Sequence, residues 1–189
     1  MVPLNYMHSA TVIINKGQTL IEAVVVIAVG IVVVAALVFA TIASLRNSQT
    51  AKNQAQATKL AQEGLEIVRT SRDRDGVINN LSGTNYCWAA SCNSGVTPIW
   101  SAQLTPVICP APSVCYFKII GGDLTSVSIS SSPPTGLGEP IGNFTRYIIL
   151  SDDVANYLNW KTVTALVTWV DFAGTHESRV STVLRCLNC

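Results

Sequence analysis

The stretch from Lys16 to Ala40, KGQTLIEAVVVIAVGIVVVAALVFA, decides the fold of this chain. It carries one carboxylate, Glu22, and the 21 residues that follow, from Ala23 to Ala43, contain no charge. Most of them are Val, Ile, Ala or Leu, and a helix needs about 20 such residues to cross the core of a bilayer. The run therefore predicts one transmembrane helix. The charge at its N-terminal end requires an explanation.

An ordinary secretory signal does not account for this run. Such a signal has an apolar stretch of about 7 to 15 residues, followed by a small-residue cleavage site of the A-x-A kind. Here the apolar stretch is longer, and its flank, FATIASLR, offers no A-x-A. We therefore expect the span to stay in the mature protein.

Composition restricts the class of protein. The chain has 189 residues with 12 basic and 11 acidic side chains, so its net charge predicts no nucleic-acid partner. Beyond the span, residues 44–189 are enough for one domain with its own core.

Cysteine placement predicts the compartment. All six cysteines follow the span: they are Cys87, Cys92, Cys109, Cys115, Cys186 and Cys189. An even number on one side favours disulfide bonds formed in an oxidising space outside the cytoplasm. The basic residues oppose this orientation, because one lysine precedes the span and three basic residues follow it. These are Lys16 before the span and Arg46, Lys52 and Lys59 after it. The cysteines carry more weight, and the conflict stays open at this point.

The start of this stretch resembles the processing signal of type IV prepilins and type II secretion pseudopilins. The resemblance lies in Lys16-Gly17, followed by Gln18-Thr19-Leu20-Ile21-Glu22 and then by the apolar run. The resemblance implies that a prepilin peptidase cuts after Gly17 and methylates the new N-terminus, Gln18. Residues 1–17 would then be a leader. The residue after the cut is usually Phe or Met in that family, and a glutamine there can cyclise instead of being methylated.

The same resemblance implies a role for Glu22. In the family this carboxylate pairs with the charged N-terminal amine of a neighbouring subunit and thereby guides assembly. The implied partners are other pilin subunits, the prepilin peptidase and the inner-membrane assembly platform. The implied location is the inner membrane, single pass with the head outside the cytoplasm, and then a filament at the cell surface. The alternative is a carboxylate that snorkels at the end of a plain membrane anchor.

The helix is predicted to continue past the membrane. Residues 18–43 are apolar all round, as a membrane or filament-core segment must be, and residues 44–75 are amphipathic. One helix is expected from Gln18 to about Arg72. Its apolar face is expected at Ala51, Ala55, Ala61, Leu65 and Val68, joined by Leu60 and Ile67.

Residues 76–189 are predicted to form a cysteine-containing head. Gly76 to Cys115 and Ser130 to Gly142 are interpreted as loops, because turn residues dominate both. Strands are predicted at Phe117–Ile120, Leu124–Ile129, Phe144–Leu150, Thr162–Val170 and Glu177–Leu184.

In the fourth of these strands, Val163, Ala165, Val167 and Trp169 share one face, and residues 171–174 can turn the chain into the last strand. We expect Trp169 to pack on the amphipathic half of the helix, and Phe144 and Tyr147 to have packing roles. The order of these strands resembles the C-terminal sheet of minor pilins of the PilV-like kind. The fold class expected is α+β and pilin-like, with one long N-terminal helix packed on a C-terminal antiparallel sheet.

Cysteine spacing suggests local pairs. Cys87 lies close to Cys92 and Cys109 close to Cys115, but six cysteines allow 15 pairings, so the connectivity is open. The final C-x-x-C, Cys186 to Cys189, could be read as a redox motif or, with the other pairs, as a zinc site. Disulfide bonds are the preferred interpretation, and no metal or cofactor is predicted.

Catalytic residues are not indicated. The histidines are His8, inside the implied leader, and His176, which has no nucleophile motif beside it. Asp152, Asp153 and Asp171 could supply a pair of carboxylates, but aspartates in loops are mostly turn residues or solvated charges. The charges between Arg69 and Asp75 are interpreted as a solvated helix terminus and not as a contact for DNA.

The sequence thus leads to three hypotheses in order of preference. The first is a non-enzymatic structural subunit, a minor pilin or pseudopilin of a type IV pilus or type II secretion-like filament. The second is a single-pass membrane-anchored binding protein with an extracytoplasmic head that does not polymerise. The third is an enzyme held by the same anchor.

Overall fold

The computed structural model describes residues 16–152 and 155–186, with side chains from residue 20 onward. Contacts divide the chain into two units, Met1–Thr50 and Ala51–Cys189. The long helix expected from the sequence is confirmed: α1 covers Lys16–Asp73, 58 residues without a break.

The part of α1 from Leu20 to Leu45, in the first unit, is apolar on every side apart from Glu22. Every large hydrophobic side chain from Leu20 to Leu45 is exposed. A helix of a water-soluble domain buries one apolar stripe, so this segment is built for surroundings other than water.

The part of α1 in the second unit has one buried face. Ala57, Ala61, Leu65 and Val68 are buried, at spacings of four, four and three residues. The expectation that Ala51 and Ala55 belong to this face is wrong, because both are exposed. Alanine is small enough to sit on either face, so its spacing alone does not place the stripe.

The head contains a mostly antiparallel sheet against which this second part of α1 packs, so the α+β class is confirmed. The strands among the described residues are β1 Val77–Leu81, β2 Thr84–Cys87, β3 Thr97–Pro98, β4 Val114–Ile120, β5 Asp123–Ser130, β6 Glu139–Ile141, β7 Phe144–Ser151, β8 Trp160–Asp171 and β9 Gly174–Arg185. Their order is β3-β2-β1-β5-β4-β7-β8-β9, and β6 pairs with the first half of β7. The pairs β1 with β5 and β2 with β3 are parallel.

The five strands predicted from alternation are confirmed as β4, β5, β7, β8 and β9, most of them one to three residues longer at each end. The turn between β8 and β9 is also confirmed, with Asp171 paired to Gly174 in register. Gly174 has a φ of 124°, a conformation that side-chain-bearing residues rarely adopt.

The interpretation of Gly76 to Cys115 as a loop is wrong in part, because it contains β1, β2 and β3. The hairpin of β1 and β2 is irregular: its register shifts between Ile78 and Leu81, and Asn80 and Ser82 have positive φ. Asparagines and a bulge hide the alternation that marks a strand. The expected loop from Ser130 to Gly142 likewise contains the short strand β6.

Side chains are buried on both faces of the sheet, and more of them on the face toward α1. The face toward α1 buries Val163, Ala165, Val167 and Trp169 in one cluster with the buried stripe of the helix, as predicted for Trp169. The other face holds a smaller cluster of Tyr116, Tyr147, Ile149 and Leu166. The Tyr147 hydroxyl donates to the Pro134 carbonyl at 2.6 Å, so the loop before β6 helps to cover this face.

Candidate functional site

The apolar segment of α1 is the first candidate site. Within the described residues, one helix is long and apolar enough to cross a membrane, and it lies near the N-terminus. Burying a Val, Leu or Ile side chain is worth about 1.5 to 3 kcal/mol. A segment with this many exposed apolar side chains is therefore stable only in a bilayer or against other apolar helices.

Glu22 is the one charged residue from Leu20 to Leu45, and its side chain is exposed. The backbone of Gly17 and Gln18 lies within α1, but their side chains are outside the described part. Gln18 is four residues before Glu22, about one helical turn away. The implied cleavage position and the carboxylate are thus adjacent on one helix.

Two disulfide bonds lie in the head, and they join the pairs that the spacing suggested. Cys87 is bonded to Cys92 with a Cα–Cα distance of 6.1 Å, and Cys109 to Cys115 with a distance of 5.6 Å. Cys186 is also disulfide-bonded, while Cys189 lies outside the described residues. Since the sulfurs of the first two pairs are oxidised, they cannot act as zinc thiolates, and a zinc site made from all three pairs is wrong.

Several side chains between Trp88 and Cys109 are packed into the core, while residues 90–95 are mostly exposed. Trp88, Trp100 and Leu104 are all buried there. The Trp100 indole donates to the Trp88 carbonyl at 2.6 Å, and the two rings lie 5.6 Å apart. These contacts attach the segment to the core at Trp88, Trp100 and Leu104.

A buried ion pair anchors the same segment to the sheet. Lys161 and Asp152 are both fully buried, with 2.8 Å between Nζ and Oδ2. The ammonium also donates to the carbonyls of Ala102 and Tyr157, each at 2.7 Å. The two carboxylate oxygens accept the N–H groups of Leu104 and Thr105, each at 2.8 Å.

This pair corrects the interpretation of Asp152 as a solvated turn residue. Burial lowers the pKa of Lys161, and the hydrogen bond and charge of Asp152 oppose that shift. The three acceptors of the Lys161 ammonium join this segment to the sheet, so the pair has a structural role. The sequence contained a signal for a buried lysine. Lys161 is the first residue of the inward-facing series 161, 163, 165, 167, 169 on β8.

Asp171 and His176 form a second polar pair at the turn between β8 and β9. His176 Nε2 lies 2.9 Å from Asp171 Oδ1, and its ring stacks on Trp169 with centroids 5.4 Å apart. Burial pushes the pKa of Asp171 upward, but hydrogen bonds from the Ala173 N–H and from His176 bring it below its usual value. The aspartate thus holds the turn together. Asp153, the third aspartate considered, lies outside the described residues.

Arg146 ties the sheet to α1, a connection that sequence reasoning missed. Its side chain is 2% exposed, and Nε and Nη2 each lie 2.9 Å from a Glu139 oxygen. Nη1 donates to the Leu60 carbonyl at 3.0 Å. A Cβ on Gly64 would lie 2.9 Å from the Arg146 Cδ, so the absence of a side chain there makes room for the arginine.

The charges at the end of α1 are paired with carboxylates. Arg69 bonds Glu66, Arg72 bonds Asp73 and Arg74 bonds Asp123, each at 2.6 Å. The helix ends among them, at Asp73. Cations near the C-terminus of a helix interact favourably with its dipole, so these charges have a structural role at the end of α1.

A cleft of about 440 Å³ lies beside α1 in the head. Leu60, Phe144 and Trp169 contribute its apolar lining, and Lys59 and Glu63 contribute charges of opposite sign. Its size falls within the range of small-molecule sites.

Comparison with protein-family models, with curated proteins and with solved structures finds no match for this chain.

Proposed function

We propose that this chain is a non-enzymatic structural subunit, a minor pilin or pseudopilin, of a type IV pilus or type II secretion-like filament. It is cut after Gly17 by a prepilin peptidase and assembles through α1. One observation carries the proposal: a single helix has an apolar, fully exposed first part containing one carboxylate, and a second part that packs on a sheet.

Glu22 is the assembly residue in this proposal. A charge inside an apolar segment costs about 2.5 to 3.5 kcal/mol at the centre of a membrane, and less near the end, so it needs a partner. The N-terminal amine of a neighbouring processed subunit supplies one. The pair then sets the axial position of one helix against the next, because a carboxylate left alone among apolar helices is costly.

The head serves display and not catalysis in this proposal. Its buried Lys161–Asp152 pair and its Asp171–His176 pair both hold backbone segments in place. The disulfide bonds close short loops in an extracytoplasmic space.

The test is the intact mass and N-terminal sequence of the protein made together with a prepilin peptidase. A start at Gln18, methylated or cyclised, is the expected result. The matched control is Gly17→Ala, which should remain at full length. A wild-type chain that still starts at Met1 beside an active peptidase would refute the proposal.

A second candidate is a single-pass membrane-anchored binding protein that does not polymerise. The cleft beside α1, with its apolar lining and charges of opposite sign, favours this candidate. An uncut Gly17–Gln18 bond, together with a ligand bound by the head, would support it over the first.

A further inference from the structure

The outward face of α1 in the head carries an ordered row of charges. Lys52, Lys59, Glu66 and Asp73 follow one another at intervals of seven residues, and all four are exposed. Seven residues are close to two turns of helix, so the four side chains form one row on the same side of the helix, which slants by about 20° per interval. The row has two cations toward the N-terminal side and two carboxylates toward the C-terminal side.

Such a row is complementary to a shifted copy of itself. When two parallel α1 helices lie side by side with one displaced by 14 residues, about 21 Å along the axis, Lys52 faces Glu66 and Lys59 faces Asp73 of the neighbour. With no displacement, like charges face each other at every position. The pattern therefore distinguishes a staggered parallel arrangement from an unstaggered one.

Neighbouring arginines do not exhaust the carboxylates in the row. Arg69 bonds Oε1 of Glu66 and Arg72 bonds Oδ1 of Asp73. A carboxylate has two oxygens and about four acceptor sites, so each can take a second cation. The second Arg69 nitrogen, Nη2, donates to Thr182 on β9, which holds this arginine against the head.

We propose that this row binds a second copy of the chain, parallel and displaced by 14 residues, through Lys52–Glu66 and Lys59–Asp73 pairs. This inference rests on the filament function proposed above. It also assigns a role to Lys52 and Lys59. Basic residues after a membrane span favour a cytoplasmic head, so by charge alone these two lysines oppose a head outside the cytoplasm. They are positioned for carboxylates of a neighbouring head and not for a location in the cytoplasm.

The experiment uses the full chain in cells that make the peptidase and the filament, with the fraction of subunit in sheared filaments as the measurement. The double variant Lys52→Glu/Lys59→Glu should lower that fraction about tenfold, since two attractions become repulsions. Adding Glu66→Lys/Asp73→Lys in the same chain should restore it. Lys118→Glu, on β4 away from the row, is the control for a change of charge. Protease resistance of the head shows that each variant folds.

A photoreactive residue at position 59 gives an independent measurement. It should cross-link to the segment of a second copy around residue 73. If wild-type filaments form, four results would each overturn the inference. The double variant could enter filaments as the wild type does, or the fourfold variant could fail to restore entry. The cross-links could join residues around 59 in both copies, or they could form only with another protein. If wild-type protein never enters filaments, the proposed function falls as well, and the two failures are thus distinguishable.

Discussion

At the scale of single residues, Gly64 shows how one missing side chain supports a packing contact. A glycine inside a helix costs up to about 1 kcal/mol relative to alanine, so Gly64→Ala would stabilise an isolated helix. In this head the added Cβ would lie 2.9 Å from the Arg146 Cδ and 3.3 Å from the Ile148 Cδ1. Arg146 cannot move freely because Glu139 and the Leu60 carbonyl hold its guanidinium.

We therefore expect Gly64→Ala to lower the free energy of unfolding by about 1 kcal/mol, since overpacking outweighs the gain in helix propensity. Urea unfolding of the detergent-solubilised protein measures this. Gln62→Ala, an exposed position on the same helix, should change little. A stabilised Gly64→Ala variant would mean that Arg146 moves aside at no cost.

Asp152 gives a second prediction at this scale. Asp152→Asn leaves the Lys161 ammonium buried without its counter-charge, and breaking such a pair costs about 3 to 5 kcal/mol. The same substitution at Asp123, whose pair with Arg74 is partly exposed, should cost less than about 1 kcal/mol. The two unfolding midpoints compare them directly. Equal losses of stability in the two variants would show that other groups compensate the charge of Lys161 when Asp152 is replaced.

The turn between β8 and β9 gives a prediction about pH. The folded pKa of Asp171 lies below its ordinary value of 3.8, so its contribution to stability is complete above that value and is lost as the pH falls through the folded pKa. His176→Phe keeps an aromatic ring beside Trp169 but removes the hydrogen bond. We expect the variant to melt below the wild type near neutral pH, and the difference to shrink as the pH falls from 3.8 through the lower folded pKa. A difference that persists in acid would assign the loss to packing.

At the scale of elements, the sequence predicted what repeated patterns encode. The apolar run of α1, the short apolar run of β7 and the alternation in β8 and β9 are visible in the sequence, so these elements were predictable with nearly correct ends. The strands β1 and β2 were not, because Asn79 and Asn80 interrupt the alternation and the register shifts there. Patterns also could not reveal the Arg146–Leu60 and Lys161–Ala102 contacts, which form only when distant segments meet.

The candidate site divides in the same way. Gly17, Gln18 and Glu22 are recognisable because their spacing is local, while their role in assembly stays a prediction. The two disulfide pairs were suggested by short separations of five and six residues. The row from Lys52 to Asp73 became interpretable only when the structure placed all four side chains on the outward side of α1.

Glu22 gives the prediction that belongs to α1 as an element. We expect Glu22→Ala to insert in the membrane, to be cut after Gly17 and to fold its head, yet to be lost from sheared filaments. Thr41→Ala, at the other end of the apolar run, is the control and should assemble normally. Immunoblots of the membrane and filament fractions separate the two steps. Normal incorporation of Glu22→Ala would show that the carboxylate has no assembly role.

At the scale of the whole molecule, the orientation in the membrane is the remaining question, since the cysteines and the basic residues favour opposite answers. Disulfide bonds persist only where the surroundings are oxidising, and two of them are formed in the head. Positive charges near a span favour the cytoplasmic side. Because the head holds disulfide bonds, we expect it to lie outside the cytoplasm, and this expectation can be tested.

We expect a protease added outside cells with an opened outer envelope to remove the head and leave a membrane fragment that contains the apolar part of α1. The treatment should follow brief exposure to a reductant that opens the Cys87–Cys92 and Cys109–Cys115 bonds, so that the head becomes accessible to the protease. A cytoplasmic protein in the same cells must stay intact as the control. A head that is cut only after the inner membrane is broken would place it in the cytoplasm. In that case the basic residues, and not the cysteines, would indicate the correct orientation. A cytoplasmic head would also contradict the proposed filament function.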